Sequence, residues 1–455
     1  MQFTPQLPCA SAILMMTCLP NNLDDWLQYQ RSLNPQQISL GLERLRPVAQ
    51  RMHLSAGHSA VITVAGTNGK GSTVALLESL LCQHAMSSAS YTSPWLLRYN
   101  ESVRVDGQPV ADEILLEAFE RVEAARADVP LTEFESRTLA AAYVAFAHRP
   151  DVVIFEVGLG GRLDAVNIFD ATVAIVTSIA LDHQQWLGAT RADIAREKVG
   201  IARHGAPLIS ADSPSNDLIA PLAHAMGATP WLAQDDYHFG VCAEQAAGTE
   251  SQLNDRWWFH GNNIAFESLP VPALGGLHQL ANAAASMIAF SLLGKARLDV
   301  EHTSAALLDV QLMGRIQQLS GAPQRFVDVA HNPQAAAALG VWAQQHRCGR
   351  IDAMCAMYAD KDLYGTAYEL REVVQAWHLA ALPPPRGASL EQLQSAVLRA
   401  TPKTPVTLYP SIEQAWNGAC AGGAQGGFAL GFGSFETVRE ILSLESATNR
   451  LDTGP

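Results

Sequence analysis

A glycine-rich stretch with one lysine is the first feature of this sequence that could do chemistry. Four β-prone residues, Val61–Val64, precede the run Gly66-Thr67-Asn68-Gly69-Lys70-Gly71-Ser72, and an apolar stretch of helical periodicity begins at Val74. The pattern predicts a strand, a tight turn and a helix. The unpaired N–H groups of such a turn lie at a helix N-terminus, where an anion is favoured. Glycines allow the backbone to approach a phosphate closely, and Lys70 supplies the opposite charge.

Two further predicted strands end in side chains that could bind a metal ion. The apolar run that begins at Val152 carries Glu156 near its end, and the mostly apolar run 171–179 is followed by His183. Continuous apolar runs are typical of parallel strands that are buried on both faces. Ligands of open α/β sheets bind at the carboxyl ends of such strands. Glu156 is therefore a candidate oxygen ligand for Mg²⁺, although a structural Glu fits the pattern too. A lone histidine such as His183 is usually structural or solvated.

The elements that must position these residues form a two-domain α/β protein. A chain of 455 residues exceeds what one core usually holds, and 48% apolar residues suffice for buried cores. We predict an N-terminal P-loop domain with a mostly parallel sheet flanked by helices over 22–300. A smaller Rossmann-like α/β domain is predicted over 301–445, and a tail over 446–455.

Composition excludes several classes of protein. The net charge is −14, and no basic stripe is present, so nucleic acid is not expected as a partner. No apolar run reaches the ~20 residues that a membrane span needs. The seven cysteines are scattered and contain no C-x-x-C, which favours buried thiols in a reducing cytosol. We therefore expect a cytoplasmic protein and, by default, a monomer.

The N-terminal segment 1–21 resembles a signal peptide only in part. Residues 11–16 are apolar, but no Lys or Arg precedes them and no clean A-x-A site follows. We interpret the segment as a poorly ordered extension, with Met15 or Met16 as alternative starts, and secretion is the competing interpretation.

Seven motifs together resemble the folylpolyglutamate/dihydrofolate synthase branch of the Mur ligase superfamily. The resemblance covers roughly residues 22–440 and includes G-T-N-G-K-G-S, S-P-W-L, E-V-G-L-G-G-R-L-D-A, D-H-x-x-x-L-G, E-K-V-G-I, L-M-G-R and D-V-A-H-N-P. The phosphate loop departs from G-x-x-x-x-G-K-[ST], because Val64 replaces its first glycine and Gly71 precedes Ser72. Within the family pattern, Trp95 stands in place of a common histidine and Ser102 in place of a common arginine.

The resemblance implies an ATP site built by both domains. Its implied ATP-binding residues are Gly66, Thr67, Asn68, Gly69, Lys70, Gly71, Ser72, Asn282, Arg315 and Asp328. Lys70, Lys198 and His331 are the implied catalytic residues, with His331 near the γ-phosphate. By pattern alone, Arg315 and the segment around Asp328 also read as a surface arginine and a capping loop.

The resemblance also implies metal ions and a modified lysine. Ser93, Glu156 and His183 are the implied ligands of Mg²⁺, with two ions expected and K⁺ as a further candidate. Because Mg²⁺ rarely takes imidazole, we expect Ser93 on the first ion and His183 with Glu156 on the second. Lys198 matches a family lysine that is carbamylated to N6-carboxylysine, whereas its local pattern is that of a solvated helix lysine.

The folate site is implied by three short segments. They are Ser39, Leu40, Gly41 and Leu42, then Thr132, Glu133, Phe134 and Glu135, then Leu163, Asp164 and Ala165. From pattern alone, the first segment is a helix entry, and the second is an N-cap threonine followed by acidic first-turn residues.

The implied reaction is the ATP-dependent joining of L-glutamate to dihydropteroate and to the γ-carboxyl group of tetrahydrofolates, through an acyl phosphate. Small molecules are the implied partners: ATP, L-glutamate, dihydropteroate and folates. Two alternatives remain at this point. One is a Mur-type ligase that joins an amino acid to a UDP-linked sugar acid, and the other is a nucleotide-binding switch without ligase chemistry.

Overall fold

The structure is a computed structural model that describes residues 19–34, 39–242, 256–346, 349–424 and 427–452. Most of the predicted N-terminal extension, residues 1–18, lies outside the described residues. The described chain contains two large sheets and one small sheet, and helices cover both faces of each large sheet. No helix among the described residues is both long enough and apolar enough to cross a membrane.

The first sheet has eight strands in the order β4-β3-β2-β5-β1-β6-β7-β8. Neighbouring strands are parallel except for β3 and β4, which add an antiparallel edge. The strands are β1 (Ala60–Ala65), β2 (Ser88–Tyr91), β3 (Val103–Val105), β4 (Gln108–Pro109), β5 (Val152–Glu156), β6 (Val173–Val176), β7 (Pro207–Ser210) and β8 (Thr229–Leu232). Strands β1, β5 and β6 are buried along their whole length, as their continuous apolar runs predict.

Helices cover both faces of this sheet. They are α1 (Leu23–Leu33), α2 (Leu45–Arg51), α3 (Lys70–Gln83), α4 (Asp112–Arg126), α5 (Glu133–Ala147), α6 (Gln184–Leu187), α7 (Arg191–Val199), α8 (Asn216–Ala225), α9 (Gln279–Leu293) and α10 (Val300–Asp309). Three short 3-10 helices lie at Tyr99–Ser102, Ala165–Ile168 and Ser213–Ser215. The apolar residues form one core with α1, α4, α5, α7 and α8, and a second core on the opposite face with α3, α9 and α10.

A small antiparallel sheet lies beside the second of these cores. Its strands are β9 (His238–Val241), β10 (Arg256–Gly261) and β11 (Ile264–Pro270). Trp257 and Phe259 of β10 are fully buried there, which anchors the sheet.

The second large sheet has six strands in the order β12-β13-β17-β14-β15-β16, and only β12 is antiparallel to its neighbour. The strands are β12 (Gln317–Leu319), β13 (Gln324–Asp328), β14 (Arg350–Cys355), β15 (Val374–Leu379), β16 (Val406–Leu408) and β17 (Gly427–Phe432). The helices are α11 (Pro333–Gln345), α12 (Leu363–Glu369), α13 (Leu390–Ala400), α14 (Ile412–Gly423) and α15 (Phe435–Asp452). One core lies under α11, α12 and α13, and another under α14 and α15.

The predicted two-domain α/β class, with a mostly parallel N-terminal sheet and a smaller second sheet, is confirmed. Two details differ from the sequence prediction. Helix α10, which a boundary at residue 300 assigns to the second domain, packs Ala306 and Leu307 into the core of the first. Helix α15 continues to Asp452, through residues that the sequence placed in a tail. The domain boundary itself stays a prediction.

Candidate functional site

Three central strands bring the candidate residues to one edge of the first sheet. Strand β1 lies between β5 and β6, with Val64 opposite Glu156 and Ala65 opposite Val176. The glycine loop leaves β1 at this edge, and the loop that carries His183 leaves β6. Parallel strands all end on the same side, so segments far apart in sequence meet here.

The glycine loop folds tightly at two positions that only glycine can occupy comfortably. Gly66 has φ +151°, and a Cβ there would overlap the hydroxyl of Thr177. Gly69 has φ +89°, and a Cβ there would lie 2.7 Å from Oδ1 of Asn282. Both φ values lie in a region that side chains disfavour. The loop therefore needs these glycines to pass close to the neighbouring strand end and to α9.

The strand end of β6 holds the glycine loop in place. The backbone N–H of Thr67 donates to the carbonyl of Ser178 at 2.8 Å, and the N–H of Asn68 donates to the Ser178 hydroxyl at 2.9 Å. The Thr177 hydroxyl donates to the carbonyl of Asn68 at 2.6 Å. Helix α3 then begins at Lys70, so its free N–H groups point into the loop. This arrangement can accept a phosphate.

Two lysines meet at the carbonyl oxygen of Gly66. Nζ of Lys70 donates to it at 3.1 Å, and Nζ of Lys198, from α7, donates to it at 2.8 Å. Lys198 is buried, contrary to the solvated position that its local pattern suggests. Burial, followed by the charge of Lys70, lowers the pKa of Lys198 to about 7. A large fraction of this amine is therefore neutral at physiological pH.

Glu156 is a buried carboxylate that faces the glycine loop. Its Oε2 accepts the backbone N–H of Ser93 at 3.2 Å, so two predicted metal ligands are in contact. Burial raises the pKa of Glu156, while Lys70, the Ser93 N–H and Arg315 oppose that rise. A Cβ added at Gly71 would lie 3.8 Å from Oε2 of Glu156, which confirms how near the carboxylate is to the loop.

His183 lies at the rim of the same site, beside an ion pair that joins the two domains. Nζ of Lys361 donates to Oδ1 of Asp182 at 2.6 Å and lies 3.4 Å from Nε2 of His183. Burial of Asp182 acts to raise its pKa, but His331, Lys361 and His183 together hold the pKa well below its usual range. Burial is the main cause that lowers the pKa of His183 to about 4, so the imidazole is neutral near pH 7.

The second domain contributes Arg315, Asp328 and His331. Oδ2 of Asp328 accepts the N–H of Ile316 at 2.8 Å, which fixes the segment that carries Arg315. Burial lowers the pKa of Arg315, whereas the charges of Asp328 and Glu156 raise it. Nε2 of His331 lies 3.6 Å from Oδ2 of Asp182. These contacts put second-domain side chains against the strand ends of the first domain.

Most of the side chains described so far line a cleft of about 520 Å³ between the two domains. It includes every predicted ATP-binding, catalytic and metal-binding residue, namely Gly66, Thr67, Asn68, Gly69, Lys70, Gly71, Ser72, Ser93, Glu156, His183, Lys198, Asn282, Arg315, Asp328 and His331. A larger cavity of about 830 Å³ is lined in part by the segment 308–318. It shares Arg315 and Ile316 with the cleft but contains no residue of the glycine loop. The chemistry-bearing side chains favour the smaller cleft.

The three predicted folate-binding segments meet each other beside the cleft. The N–H of Gly41 donates to the carbonyl of Leu163 at 3.3 Å, and Arg44 pairs with Glu135 at 2.8 Å. The Phe134 ring packs against Gly158, which lines the cleft. The segments themselves do not line it: Ser39, Leu40, Gly41 and Leu42, Thr132, Glu133, Phe134 and Glu135, and Leu163, Asp164 and Ala165.

Local capping explains part of the folate-binding pattern. The Thr132 hydroxyl accepts the N–H of Glu135 at 3.2 Å, and the Glu135 carboxylate accepts the N–H of Thr132 at 2.7 Å, which is a capping box. Asp164 is buried and accepts the N–H groups of Leu159 and Val166. Burial raises the pKa of Asp164 to about 6 against those hydrogen bonds.

Sequence reasoning assigned no role to several residues that join the domains beside the cleft. Lys361 and Asp182 form a buried ion pair between the domains. Asn332 and Asn68 exchange amide hydrogen bonds at 2.9 and 3.1 Å across the same gap. No short-range pattern signals such pairs, because their members lie 179 and 264 positions apart.

The residues present fit a divalent ion that is held jointly with a nucleotide. Among the described residues, no group of three or more His, Cys, Asp or Glu side chains is arranged to hold a metal ion. Mg²⁺ is usually bound by one or two carboxylates together with substrate phosphates and water. Buried Glu156, next to Ser93 and the phosphate-binding loop, matches that requirement.

Comparisons with known proteins agree with this geometry. The Mur ligase, glutamate ligase domain family matches residues 314–435. The dihydrofolate synthase/folylpolyglutamate synthase of Escherichia coli (strain K12) is 39% identical over 428 residues, which cover 93% of this chain and 96% of the relative.

Solved structures give the same result. The structure described as E. coli FolC in complex with DHPP and ADP has a TM-score of 0.86 and 38% identity, covering 94% of this chain and 98% of that one. A bifunctional folylpolyglutamate synthase/dihydrofolate synthase with Mn, AMPPNP and L-glutamate bound has a TM-score of 0.81 and 36% identity, covering 93% and 98%. The chain thus belongs to the dihydrofolate synthase/folylpolyglutamate synthase family.

Proposed function

We propose that this chain is an ATP-dependent carboxylate–amine ligase that joins L-glutamate to dihydropteroate and to the γ-carboxyl group of tetrahydrofolates. The observation that carries the proposal is one cleft that is lined by the phosphate loop, by buried Glu156 and by Arg315 and Asp328 of the second domain. The names and bound molecules of the relatives support it: DHPP and ADP in one, and Mn, AMPPNP and L-glutamate in another.

The nucleotide is proposed to lie between the domains. The N–H groups of the glycine loop and the start of α3 receive its phosphates, and Lys70 leaves the carbonyls of Gly66 and Thr67 to pair with phosphate oxygens. Asn282 of α9 lies against Gly69, and Arg315 and Asp328 approach from the second domain. His331 stays a candidate contact near the γ-phosphate.

Metal ions are proposed to be held at the same edge. Ser93 and Glu156 would hold a first Mg²⁺, and His183 with Glu156 a second, with K⁺ as a further candidate. When bound, the ions supply positive charge to the phosphate oxygens during phosphoryl transfer. Because the pKa of His183 is lowered to about 4, its imidazole needs no deprotonation at neutral pH before it binds a metal.

The reaction is proposed to run in two steps. A carboxylate oxygen of the pterin substrate attacks the γ-phosphorus of ATP, the bond to the β-phosphate oxygen breaks, and ADP leaves. The neutral amino group of L-glutamate then attacks the acyl carbon, the bond to phosphate breaks, and the amine loses a proton as the amide forms. The cleft between the domains shields the acyl phosphate from water.

Lys198 is proposed to act as a carbamylated lysine. Only a neutral amine reacts with carbon dioxide, and the pKa of about 7 provides that form at physiological pH. The product is an anion next to Lys70, so it would replace a repulsion between two ammonium groups by an attraction. The folate substrate is proposed to lie against the three segments that meet near Gly158.

A glutamate-incorporation assay tests the proposed function. The purified protein receives labelled L-glutamate and ATP with dihydropteroate or with tetrahydrofolate, in separate reactions, and ADP release is measured in parallel. Incorporation that requires ATP and a pterin acceptor is expected. Incorporation into a UDP-linked sugar acid instead would identify a Mur-type ligase. Phosphate release that ignores both acceptor and glutamate would identify a nucleotide switch.

We further propose that the protein works in the cytoplasm as a monomer. The support for the location is the cysteine usage: of the described cysteines, Cys355 is buried and none forms a disulfide. The support for the monomer is that one chain supplies both walls of the cleft. Sedimentation of the active protein at one chain mass is the expected result.

A further inference from the structure

Two consecutive residues, Trp95 and Leu96, pack into the cores of different domains. Trp95 lies against the first core, with Tyr99 at a ring distance of 5.2 Å. Leu96 is 4% exposed and belongs to the core under α14 and α15. All other buried residues of that core, as far as the chain is described, come from Leu319 onward. The loop after Ser93 therefore bridges the two domains.

The second domain holds this bridge through Leu96 and Arg439. The Leu96 side chain lies close to Gly314 and shares its core with Val438 of α15. Nε of Arg439, on α15, donates to the carbonyl of Leu96 at 2.6 Å, and its Nη2 donates to the carbonyl of Trp95 at 3.3 Å. A displacement of the second domain would therefore pull directly on the backbone of the bridge.

The first domain holds the same bridge through Arg137 of α5. The Arg137 guanidinium lies 4.6 Å from the centre of the Trp95 ring and 5.3 Å from that of Tyr99. Arg137 also pairs with Glu133, which belongs to a predicted folate-binding segment. Trp95 departs from the histidine common in the family pattern, so this contact is a feature of this chain's own sequence.

The bridge is stiff, and it is connected to the metal-binding edge. The Glu101 carboxylate accepts the backbone N–H groups of Leu96, Leu97 and Arg98 at 2.7 to 3.2 Å, which fixes the turn. Ser93 is two positions before Trp95, and its N–H donates to Glu156. Since few torsions separate Ser93 from Trp95, a shift of the bridge must move Ser93 relative to Glu156.

We propose that the Trp95–Leu96 bridge sets the position of Ser93 according to the position of the second domain. Leu96 and Arg439 are then positioning residues for binding of the metal–nucleotide complex, although they touch neither the metal nor the nucleotide. This inference rests on the proposed function, because it assumes that Ser93 and Glu156 hold a metal with ATP. Packed interfaces switch between discrete arrangements, so such a bridge can transmit a domain movement.

The test measures Mn²⁺ binding rather than turnover. Free Mn²⁺ is followed by electron paramagnetic resonance in the presence of a non-hydrolysable ATP analogue, for wild type, Leu96→Ala and Arg439→Gln. Hydrogen bonds that involve a charged group are worth roughly a tenfold effect or more, so we expect Mn²⁺ affinity to fall about tenfold in Arg439→Gln. Removing the Leu96 anchor should weaken it by a similar factor.

Arg325→Gln is the matched control. Arg325 pairs with Glu445 of helix α15 at 2.8 Å and also donates to the carbonyl of Ser320, so these contacts lie within the second domain. Its replacement should leave Mn²⁺ affinity within a factor of about two, since a purely structural loss in this domain does not reach Ser93. An equal loss in Arg325→Gln and Arg439→Gln would overturn the proposal.

A double variant separates coupling from general damage. If Leu96 and Arg439 act through one bridge, the loss of Mn²⁺ affinity in Leu96→Ala/Arg439→Gln is smaller than the product of the single losses. Unchanged Mn²⁺ affinity in Arg439→Gln, whose guanidinium is partly exposed and whose loss leaves the core intact, refutes the inference. Failure of glutamate incorporation by the wild type would instead refute the proposed function. The Mn²⁺ measurement is a binding experiment and does not depend on turnover.

Discussion

Replacing Glu156 by glutamine separates the proposed metal role of this side chain from its role in packing. Glutamine has nearly the same shape, and its carbonyl oxygen can still accept the N–H of Ser93. The negative charge is lost, however, between Lys70 and Arg315, which both act on Glu156. The change therefore removes the electrostatic contribution while the fold of the loop is retained.

The expected loss of turnover is large. If Glu156 holds a metal that offsets charge on the transferring phosphoryl group, its loss resembles removal of one preorganised electrostatic contact, which typically lowers kcat about 10²–10³-fold. That factor corresponds to about 2.7–4 kcal/mol of transition-state stabilisation. Because charge is the only property of the side chain that changes greatly, a fall in kcat of this size would be attributed to the lost negative charge.

Stability of the metal-free protein should change in the opposite direction. Burial raises the folded-state pKa of Glu156, so the folded protein holds this proton more tightly than the unfolded chain does. Its contribution to the free energy of unfolding is then most favourable at low pH and falls as pH rises through the folded pKa. At neutral pH the ionised carboxylate destabilises the metal-free protein, and Glu156→Gln should raise the melting temperature measured in EDTA.

Glutamate incorporation measures the expected fall in turnover. Thermal unfolding with and without Mn²⁺ and an ATP analogue measures the expected change in stability. Wild type should gain stability on adding both, and the variant should gain much less. Glu78→Gln is the control: Glu78 is also buried and has a raised pKa, but it pairs with Arg104 outside the cleft. Turnover near the wild-type level in Glu156→Gln, or an equal loss in Glu78→Gln, would refute the reasoning.

Three further predictions follow from the cleft. Lys70→Ala should lower kcat about 10²–10³-fold by removing one cation from the phosphates, with little change in secondary structure by circular dichroism. Gly66→Ala should abolish nucleotide binding in calorimetry, because its Cβ would overlap the Thr177 hydroxyl. Activity should rise with bicarbonate, most clearly near and above pH 7, where Lys198 becomes neutral, and labelled bicarbonate should be incorporated by wild type but not by Lys198→Arg.

Each of these three predictions has an outcome that contradicts it. Full turnover in Lys70→Ala would show that the lysine does not act on the phosphates. Normal nucleotide affinity in Gly66→Ala would show that the loop tolerates a side chain. Equal labelling of wild type and Lys198→Arg, or activity that ignores bicarbonate across this pH range, would show that Lys198 is not carbamylated.

Much of the cleft was predictable from local sequence. The glycine loop and the apolar runs before Glu156 and His183 each define a strand followed by a functional turn, because β-strand burial and glycine conformations are short-range properties. The parallel arrangement then requires those turns to share one edge. For Lys198 the local pattern was misleading, since a helix lysine looks solvated until tertiary packing buries it.

Contacts between the domains could not be predicted in the same way. Asp182 and Lys361 pair across 179 positions, and Leu96 enters a core built from residues after 314. Neither contact has a periodic pattern in the sequence, because local sequence does not determine how two folded domains pack against each other. The extension of α15 to Asp452 was missed since its polar residues conceal the helix.

The sequence by itself determined the strand–loop–helix units and the chemical types at their ends, because backbone preferences and hydrophobic periodicity act over a few residues. Tertiary structure alone decided which of those ends face each other, how strongly burial shifts the pKa values of Lys198, Glu156 and His183, and which side chains join the two domains. The physical reason is that desolvation and charge pairing depend on all neighbours in space, whatever their separation along the chain.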